Sequence, residues 1–318
     1  NGVVLRDTIT GEIFTCRTKS IVNATGAYTD SIRKMVDPSG IEICKPSLGT
    51  HLSMPKNLTQ HGVGLLINEP NNRVLFVLPW EGTTLIGTSD EETQIKEKPT
   101  PSKTEVFSLL ARFSKIVKDQ SIADQKHVKS CWSGMRPLVV DPNSDSAHSS
   151  NLSRTHLIEV KKNMVSVCGG KWTIFRKMGE DTIDSIEKII GTDKQNRVSD
   201  FHPYGSVGWT PEVIKTICKE YIIDLDVAEH LSRGYGLAAE NIVKSCKKSL
   251  TRIHKDFPYT EEEITYICKN EYVCTLEDIV ARRLRLAFLD AQATVEVIDL
   301  VARLAGHSLG WSDEKIRV

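Results

Sequence analysis

A histidine among small residues is the side chain in this sequence best suited to take up a proton. His51 stands in the run PSLGTHL, at the start of a predicted strand. An imidazole has an unperturbed pKa of about 6.5, so it can act as a base at neutral pH. A lone histidine is more often a hydrogen-bonded structural residue than a base, and the spacing alone does not decide between the two roles.

Two arginines offer positive charge for an anion. Arg136 stands in the run SGMRPL, where its planar guanidinium can clamp a carboxylate or a phosphate with two hydrogen bonds. Arg154 follows in the run LSRTH. The alternative is that both arginines form structural salt bridges.

A third feature is a strand that runs into two glycines and then into a helix, in the sequence VCGGKWTIF. The first N–H groups of a helix have no partner within the helix, and the helix dipole makes this end attractive to anions. Lys171 adds a full positive charge there. Together with the two arginines, this pattern favours an anion-binding site.

Two shorter runs place small or hydroxyl-bearing residues at strand ends. In VNATGAYTD, the turn at 24–26 lets a flat or phosphorylated ligand come close to the backbone. A tight strand-to-helix turn capped by Thr29 or Asp30 explains the same run, and alone it is the better explanation. In LIGTSD, Thr88 belongs to a polar series that either caps the next segment or lines a pocket.

Short strands dominate the elements that must position these residues. Apolar runs separated by turn residues predict one antiparallel sheet within residues 46–90, and helical spacing predicts a helix at 102–119 capped by Ser102. The strands of that sheet are predicted at 62–67, 73–79 and 83–87. Further strands are predicted at 3–6, 13–16, 156–159 and 164–167, and a long helix at 173–190.

The character of the sequence changes near residue 195. From 210 to 317 almost every segment has helical periodicity, including one long segment at 275–304. The polar stretch 193–205 contains both proline and glycine. We therefore predict a domain boundary at 193–205, between a part that mixes strands with helices and an all-helical part.

The composition excludes several classes of protein. Apolar residues make up 40% and charged residues 26% of the 318 residues, which is typical of a folded chain. The 41 basic residues balance 41 acidic ones, so no nucleic-acid partner is expected. No stretch approaches the roughly 20 apolar residues of a membrane-spanning helix.

The cysteines predict neither disulfides nor a metal site. The eight cysteines include no CxxC pair and no zinc-ligand spacing with histidine. Most stand in apolar surroundings, which favours buried thiols in a reducing environment. Cys268 and Cys274 are expected on one helix.

Six runs, in order and with matching spacing, resemble the family of FAD-dependent glycerol-3-phosphate dehydrogenases, and the mitochondrial, quinone-linked members most of all. They are NATGAYTDSIRKM, PSLGTHLSMP, RVLFVLPWEGTTLIGTSDEET, CWSGMRPLVVDP, LSRTH and VCGGKWTIFRKMGEDTI. The run EYVCTLEDIVARRLRLAFLD extends the resemblance into the helical part. Six ordered runs are far more specific than a single glycine motif.

The resemblance implies a fold of the α/β plus α class. An incomplete FAD-binding domain, of the glutathione-reductase-like or amino-acid-oxidase-like type, would carry an antiparallel substrate-cap sheet and be followed by an all-helical C-terminal domain. The implied ranges are 1–45 for the remaining part of the FAD-binding domain, 46–130 for the cap, 131–192 for the return to the FAD-binding domain, and 193–318 for the helices.

The resemblance also implies an activity, the oxidation of sn-glycerol 3-phosphate to dihydroxyacetone phosphate, with electrons passing through FAD to ubiquinone. It makes His51 the base, assisted by Arg136. The implied substrate-binding residues are Thr88, Arg136, Arg154 and Lys171. The implied FAD-binding residues are Ala24, Thr25, Gly26, Gly170, Lys171, Trp172 and Thr173, so that Lys171 serves substrate, flavin or both.

By the same resemblance, the protein is expected at the inner mitochondrial membrane, attached peripherally, and assembly as a homodimer is left open. The GxGxxG dinucleotide fingerprint of the family does not occur in residues 1–318, so the chain is expected to be an incomplete family member or a fragment of one. Two alternatives remain open. One is another flavoenzyme of the amine- or amino-acid-oxidase type, with Arg136 on a carboxylate, and the other is a non-catalytic fragment whose helices form an interaction module.

Overall fold

A computed structural model describes residues 2–55, 58–59, 62–69, 73–140, 155–192, 201–245 and 250–317. The chain divides into two compact units, Asn1–Arg197 and Val198–Val318. Within the described ranges, no helix is both long enough and apolar enough to cross a bilayer. The four domain ranges implied by the resemblance stay a prediction.

The first unit mixes strands with a few helices. Its strands are β1 (Gly2–Arg6), β2 (Ile13–Arg17), β3 (Ile21–Asn23), β4 (Cys44–Met54), β5 (Leu65–Glu69), β6 (Arg73–Trp80), β7 (Thr83–Gly87), β8 (Glu91–Glu92), β9 (Ser130–Val139), β10 (His156–Lys161) and β11 (Met164–Gly169). Its helices are α1 (Thr29–Val36), α2 (Lys103–Ser114) and α3 (Phe175–Ile190), with 3₁₀ turns at Gly26–Tyr28, Gln120–Ala123, Gln125–His127 and Trp172–Ile174.

The unit begins with a hairpin formed by the strands predicted at 3–6 and 13–16. β1 pairs antiparallel with β2 from Gly2 opposite Arg17 to Arg6 opposite Ile13. Between the strands, Oδ1 of Asp7 accepts hydrogen bonds from the N–H groups of Ile9 and Thr10. A turn held by an aspartate in this way explains why the chain reverses here.

A small sheet joins two parts of the chain that are far apart in sequence. β3 lies parallel to β11, and β10 pairs antiparallel with the other edge of β11. β11 is buried from Met164 to Cys168, as expected for a strand that lies between two others and is covered on both faces. The carboxyl ends of β3 and β11 therefore lie at the same edge of this sheet.

The large sheet consists of six antiparallel strands in which β4 is central. The strand order is β5-β6-β7-β4-β8, and β9 pairs with the other side of β4 over its whole length, from Cys44 opposite Val139 to Ser53 opposite Ser130. The predicted strands at 73–79 and 83–87 correspond to β6 and β7, whereas no strand was predicted with the bounds of β4 or β9. β9, placed at the start of the returning FAD-binding segment by the resemblance, is thus part of this sheet.

The two faces of the large sheet differ in chemistry because side chains alternate along each strand. One face packs on α2 and forms an apolar core in which each fully buried side chain contributes roughly 1.5–3 kcal/mol. The core residues are Leu52, Met54, Leu75, Val77, Ile86, Leu109, Leu110 and Phe113. The opposite face carries the intervening residues of β4, Ser47, Gly49 and His51.

Helix α2 begins with a reciprocal cap, as the sequence predicted for Ser102. Oγ of Ser102 accepts a hydrogen bond from the N–H of Glu105, and the Glu105 carboxylate accepts one from the N–H of Ser102. This capping box satisfies two N–H groups that a helix start leaves open. Glu105 is 2% exposed, so its carboxylate lies beneath the sheet.

The alternative that Thr29 or Asp30 caps α1 is not what the structure has. The residue before α1 is Tyr28, without a side-chain cap. The carboxylate of Asp30 instead accepts hydrogen bonds from the N–H groups of Ile43 and Cys44 and from Arg33. Asp30 thus anchors the start of β4 to α1.

The second unit is helical through the residues that the structure describes. Its helices are α4 (Glu212–Tyr221), α5 (Leu225–Tyr235), α6 (Ala239–Lys244), α7 (Glu261–Asn270), α8 (Leu286–Leu289), α9 (Ala291–Leu309) and α10 (Asp313–Arg317), with a π-helix at Asp278–Arg283. A core that includes Ile217, Leu231 and Ile242 joins α4, α5 and α6.

Two details of the helical part differ from the prediction. Cys268 lies in α7, which ends at Asn270, so Cys274 is not on the same helix. The predicted segment 275–304 is interrupted because Arg285 adopts a left-handed conformation, with φ of 64°, and Asp290 is extended and caps α9. Periodicity of apolar residues does not detect such breaks because the buried side continues through them.

Candidate functional site

The polar face of the large sheet holds the predicted base against an aromatic ring. His51 of β4 lies opposite Trp132 of β9 and Gly87 of β7. The imidazole and the indole stack with 5.9 Å between ring centroids and 16° between their planes. Trp80 packs on Trp132 at 5.8 Å, so a row of three rings fixes the orientation of the imidazole.

His51 is a neutral histidine in this environment. Burial, and after it the positive charge of Arg136, lowers the pKa of His51 to about 4. Within the described part of the chain, neither ring nitrogen hydrogen-bonds to another residue. His51 is only partly buried, so a bound molecule can reach its ring, and its role as the base stays a prediction.

Arg136 lies on the same face of the sheet. It stands opposite Ser47, four residue pairs along the ladder from the pair of His51 and Trp132, and an even spacing keeps both side chains on one face. Nη2 of Arg136 donates a hydrogen bond to Oγ1 of Thr88 at 2.6 Å, and both terminal nitrogens lie 3.4 Å from the carbonyl oxygen of Ser89. The structure thus brings together His51, Arg136 and Thr88, which the sequence named separately.

Asp90 partly balances the charge of Arg136. Nη1 of Arg136 is 3.7 Å from Oδ1 of Asp90, and the same oxygen accepts a hydrogen bond from Ser47. The two charged side chains are 33% and 35% exposed, so solvent screens their attraction. A better-placed anion can therefore compete with Asp90 for the guanidinium.

Two glycines make room for the imidazole and the guanidinium. A Cβ atom at Gly87 would overlap Cδ2 of His51, and a Cβ atom at Gly49 would overlap the guanidinium of Arg136. The imidazole therefore lies close against the backbone of β7, and the guanidinium close against that of β4. This role was not predicted, although both glycines stand in the runs that carry the resemblance.

A hydrogen-bonded carboxylate beneath the sheet was not predicted as part of the site. Oε1 of Glu105 accepts hydrogen bonds from Oγ1 of Thr50 and Oγ of Ser89, each at 2.7 Å. Thr50 directly precedes His51 in the sequence, and Ser89 directly follows Thr88. The capping-box spacing of Ser102 and Glu105 was a detectable signal for the helix, but not for this contact.

The second group of predicted residues lies in two turns at one edge of the small sheet. The turn at 24–26 follows β3, and Gly170 follows β11, its parallel neighbour. The side-chain amide of Asn23 donates to the carbonyl of Thr29 and to Oγ of Ser166, which ties the first turn to β11. Convergence of turns at the carboxyl ends of parallel strands is where nucleotide cofactors bind in α/β folds.

The second turn is open and ends in a helix start. Gly169 and Gly170 both have φ of 76°, a left-handed conformation that glycine adopts without strain. Lys171 precedes the 3₁₀ turn Trp172–Ile174, which continues into α3. Lys171, Trp172 and Thr173 are exposed, with Trp172 at 89%.

These features fit a flavin dinucleotide. The glycines at 169–170 bring backbone close to a ligand, the helix start presents N–H groups to an anion, and Lys171 adds positive charge. The residues predicted to bind FAD all lie in these two turns, and their role stays a prediction: Ala24, Thr25, Gly26, Gly170, Lys171, Trp172 and Thr173. Oγ1 of Thr25 donates to Oδ1 of Asn23, so its backbone remains as the contact surface.

The two groups of residues are joined by the paired ends of β4 and β9. Sγ of Cys44, at the start of β4, lies 3.8 Å from the carbonyl oxygen of Gly26. Arg136 lies three residues before Val139, about 10 Å along the strand, and Val139 packs where a side chain at Gly169 would lie. Arg154 falls outside the described residues, so its predicted role stays a prediction.

The chain belongs to the family of FAD dependent oxidoreductases, whose family model matches residues 1–173. Residues 198–316 match a second family, the C-terminal domain of alpha-glycerophosphate oxidase. FAD is the cofactor of the family to which the chain belongs. The predicted fold class, an FAD-binding domain with a cap sheet followed by a helical domain, is confirmed.

Relatives of this chain within the family include glycerol-3-phosphate dehydrogenases. It is 36% identical over 325 residues to the mitochondrial glycerol-3-phosphate dehydrogenase of Rattus norvegicus, which covers 98% of this chain and 44% of the relative. It is 35% identical over 327 residues to the enzyme of Homo sapiens, with 99% and 44% covered. The resemblance found in the sequence is confirmed, and the chain spans less than half the length of these relatives.

A solved structure has the same fold. The glycerol-3-phosphate dehydrogenase of Bacillus halodurans, determined in complex with FAD, superimposes with a TM-score of 0.78 at 21% identity. The match covers 99% of this chain and 63% of that chain. At this level of identity the likeness shows the fold.

Proposed function

We propose that this chain is the larger part of the catalytic core of an FAD-dependent sn-glycerol 3-phosphate dehydrogenase. The observation that carries the proposal is that His51, a neutral histidine, lies on the same sheet face as the partly buried cation Arg136. A base and an anion clamp side by side are what oxidation of a phosphorylated alcohol requires.

His51 takes the proton of the substrate hydroxyl. At neutral pH its imidazole is uncharged, and the stacking on Trp132 leaves the ring nitrogens accessible to a bound molecule. A pKa of about 4 makes the free imidazole a weak base. A substrate anion next to Arg136 offsets the positive charge that lowers this pKa, and so strengthens the base when the substrate is present.

Arg136 binds the substrate anion and orients the hydroxyl-bearing carbon. Its guanidinium can exchange the distant contact with Asp90 for two charge-assisted hydrogen bonds to phosphate or to the oxygen that loses its proton. Thr88 fixes one end of the guanidinium through Oγ1. We assign Lys171 and Arg154 as further cations for the phosphate.

FAD, when bound, would supply the acceptor for the hydride that leaves the carbon bearing the hydroxyl group. The chain contributes the two turns at 24–26 and 170–173 as its binding surface, and the helix start supplies N–H groups to an anionic edge. Loss of the proton to His51 and of the hydride turns the alcohol into a ketone, so dihydroxyacetone phosphate is the proposed product.

The names of the relatives support a proposal on the location, but they do not name an electron acceptor. The names of the Rattus norvegicus and Homo sapiens relatives place them in the mitochondrion, and we propose the same for this chain. Ubiquinone as the acceptor, peripheral attachment to the inner membrane and a homodimer remain predictions from the resemblance.

The test compares substrates in the full-length, FAD-loaded enzyme. Reduction of a soluble quinone analogue with glycerol 3-phosphate as donor is expected, and oxygen consumption with amino acids is not. Arg136→Ala should abolish quinone reduction with glycerol 3-phosphate, while the flavin absorbance stays unchanged. Activity with amino acids and oxygen alone would replace this proposal by the amino-acid-oxidase alternative, and full-length protein without bound flavin would support the non-catalytic one.

A further inference from the structure

We propose that Glu105 is a positioning residue for this oxidation. From beneath the sheet it holds two segments, β4 with His51 and residues 88–89, which contact the guanidinium of Arg136. The proposal rests on the function proposed above. Glu105 belongs to α2, on the face of the large sheet opposite to His51, and so acts through other residues.

One oxygen of the carboxylate holds both segments. Oε1 of Glu105 accepts hydrogen bonds from Oγ1 of Thr50 and from Oγ of Ser89, each at 2.7 Å. Oγ of Ser89 in turn accepts the N–H of Thr50 at 2.9 Å. The three residues form a closed triangle that joins β4 to the chain after β7.

Each member of the triangle adjoins a functional side chain. Thr50 precedes His51 in β4, and Ser89 follows Thr88. The carbonyl oxygen of Ser89 and the hydroxyl of Thr88 are the groups on which the guanidinium of Arg136 rests. A shift of the segment 88–89 therefore moves Arg136 relative to His51.

A second residue of α2 supports the same segment. Nη1 of Arg112 donates to the carbonyl oxygen of Thr88 at 3.2 Å, and its guanidinium pairs with Glu69. Glu105 and Arg112 are two helical turns apart and so lie on one face of α2. The helix thus holds Thr88 and Ser89 at two points.

The carboxylate of Glu105 is buried yet satisfied. Burial alone would raise its pKa, but hydrogen bonds from the Ser102 backbone, Thr50, Ser89 and the Ser102 side chain lower it overall. An ionised carboxylate that accepts several hydrogen bonds holds its donors more firmly than a neutral acceptor.

The two oxygens of Glu105 have separate partners, and this separates positioning from stability. Oε2 accepts hydrogen bonds from the N–H and Oγ of Ser102 and so belongs to the cap of α2. Oε1 is bound only by Thr50 and Ser89 among the contacts given above. Variants of Thr50 and Ser89 test the contacts of Oε1, and Ser102→Ala tests the contact of Oε2.

The experiment measures kcat and KM for glycerol 3-phosphate, together with melting temperature, in the full-length FAD-loaded enzyme. Glu105→Gln keeps the size of the side chain, and we expect kcat/KM to fall by about 10- to 100-fold, the equivalent of one or two charge-assisted hydrogen bonds. The loss should lie more in kcat than in KM, because the groups remain but their geometry is altered. Thr50→Val and Ser89→Ala should each reproduce part of this loss of kcat/KM. Thr50→Ser, which keeps the hydroxyl group, should retain the activity of the wild type.

Ser102→Ala is the matched control. It weakens the cap of α2 and lowers the melting temperature, but leaves Oε1 and its partners in place, so kcat/KM should stay within about twofold. If the Glu105, Thr50 and Ser89 variants lose no more activity than Ser102→Ala, the positioning role is wrong. If His51→Asn and Arg136→Ala are also fully active, the proposed function itself is wrong.

Discussion

The hydroxyl of Thr88 holds Nη2 of Arg136 at 2.6 Å, and this contact orients the guanidinium before any substrate arrives. A clamp that is oriented in advance loses less entropy on binding and favours the transition state, in which its charge is needed most. The finding makes the role of Arg136 testable by removing its charge and its shape separately.

Arg136→Ala should cripple glycerol 3-phosphate oxidation and leave FAD bound. Loss of a charge-assisted contact to a desolvated anion costs roughly 2–5 kcal/mol of transition-state stabilisation. Steady-state kinetics give kcat/KM, and the flavin absorbance gives cofactor content. Arg136→Lys keeps the charge without the planar guanidinium, so its kcat/KM should fall between those of the wild type and Arg136→Ala. Near-normal kcat/KM in the alanine variant would refute the assignment.

His51→Asn should lower kcat more than it raises KM. A base acts in the transition state, and removing it costs about 10²- to 10⁴-fold. The asparagine keeps a polar group of similar reach against Trp132. A variant that melts much earlier than the wild type but turns over normally in its folded fraction would identify His51 as structural.

The free energy of unfolding should fall on acidification through the range set by His51. The pKa of His51 is lowered to about 4 in the folded chain, against about 6.5 when unfolded, so below pH 6.5 the unfolded state binds a proton that the folded state does not. Stability is therefore present above pH 6.5 and lost towards pH 4. Between pH 7 and pH 5 the loss is about 2 kcal/mol.

Denaturant unfolding at the two pH values, in the wild type and in His51→Asn, isolates this contribution. The variant lacks the titrating group, so its stability should decline less over the same interval. Equal declines in the two proteins would mean that the imidazole is not buried as described.

Gly49→Ala should mimic the loss of Arg136. A methyl group at this position overlaps the guanidinium, so the side chain must leave its place above β4. Gly134 lies opposite Gly49 on β9, and a methyl group there would meet nothing within 4 Å. Gly134→Ala is thus the matched control, and we expect kcat/KM to fall at least tenfold further in Gly49→Ala. Equal effects of the two substitutions would contradict the close approach.

The 318-residue chain on its own should bind FAD weakly and not oxidise glycerol 3-phosphate. Its sequence contains no GxGxxG fingerprint, and the two turns offer a few hydrogen bonds worth about 0.5–1.5 kcal/mol each. These do not readily offset the several kcal/mol of lost translational freedom on association. Titration with FAD, followed by flavin fluorescence, measures the affinity, and the full-length enzyme is the reference. Stoichiometric submicromolar binding would show that these turns suffice.

The elements predicted best from the sequence are those whose signal is local. Apolar runs separated by turn residues identified β6 and β7, and helical spacing after Ser102 identified α2 and its cap. β4 and β9 were harder because Pro46, Gly49, Gly134 and Pro137 interrupt the pattern of a strand. In the sheet these residues face each other, proline opposite proline and glycine opposite glycine, so the interruptions coincide.

The site was predictable as a set of residues but not as an arrangement. The types of His51, Arg136 and Thr88 indicated their chemistry, whereas their shared face follows from the register of β4 with β7 and β9. Glu105 contacts Thr50 across 55 positions of sequence, and nothing in either residue type indicates such a partner. Contacts of this kind depend on how a helix packs on a sheet, which a single sequence does not encode locally.

The parallel pairing of β3 with β11 sets an order in which the molecule can assemble during synthesis. Asn23 and Ser166 are hydrogen-bonded across 143 positions, which a ribosome needs roughly 7–30 s to translate at 5–20 residues per second. The antiparallel ladder from β4 to β9 lies entirely within that interval and can close first. Until β11 emerges, β3 lacks this neighbour and exposes an apolar edge that invites association with other chains. The turn that follows β3 is therefore held by β11 only late in synthesis. A chaperone that shields nascent chains would act after β3 has been made and before β11 has been made.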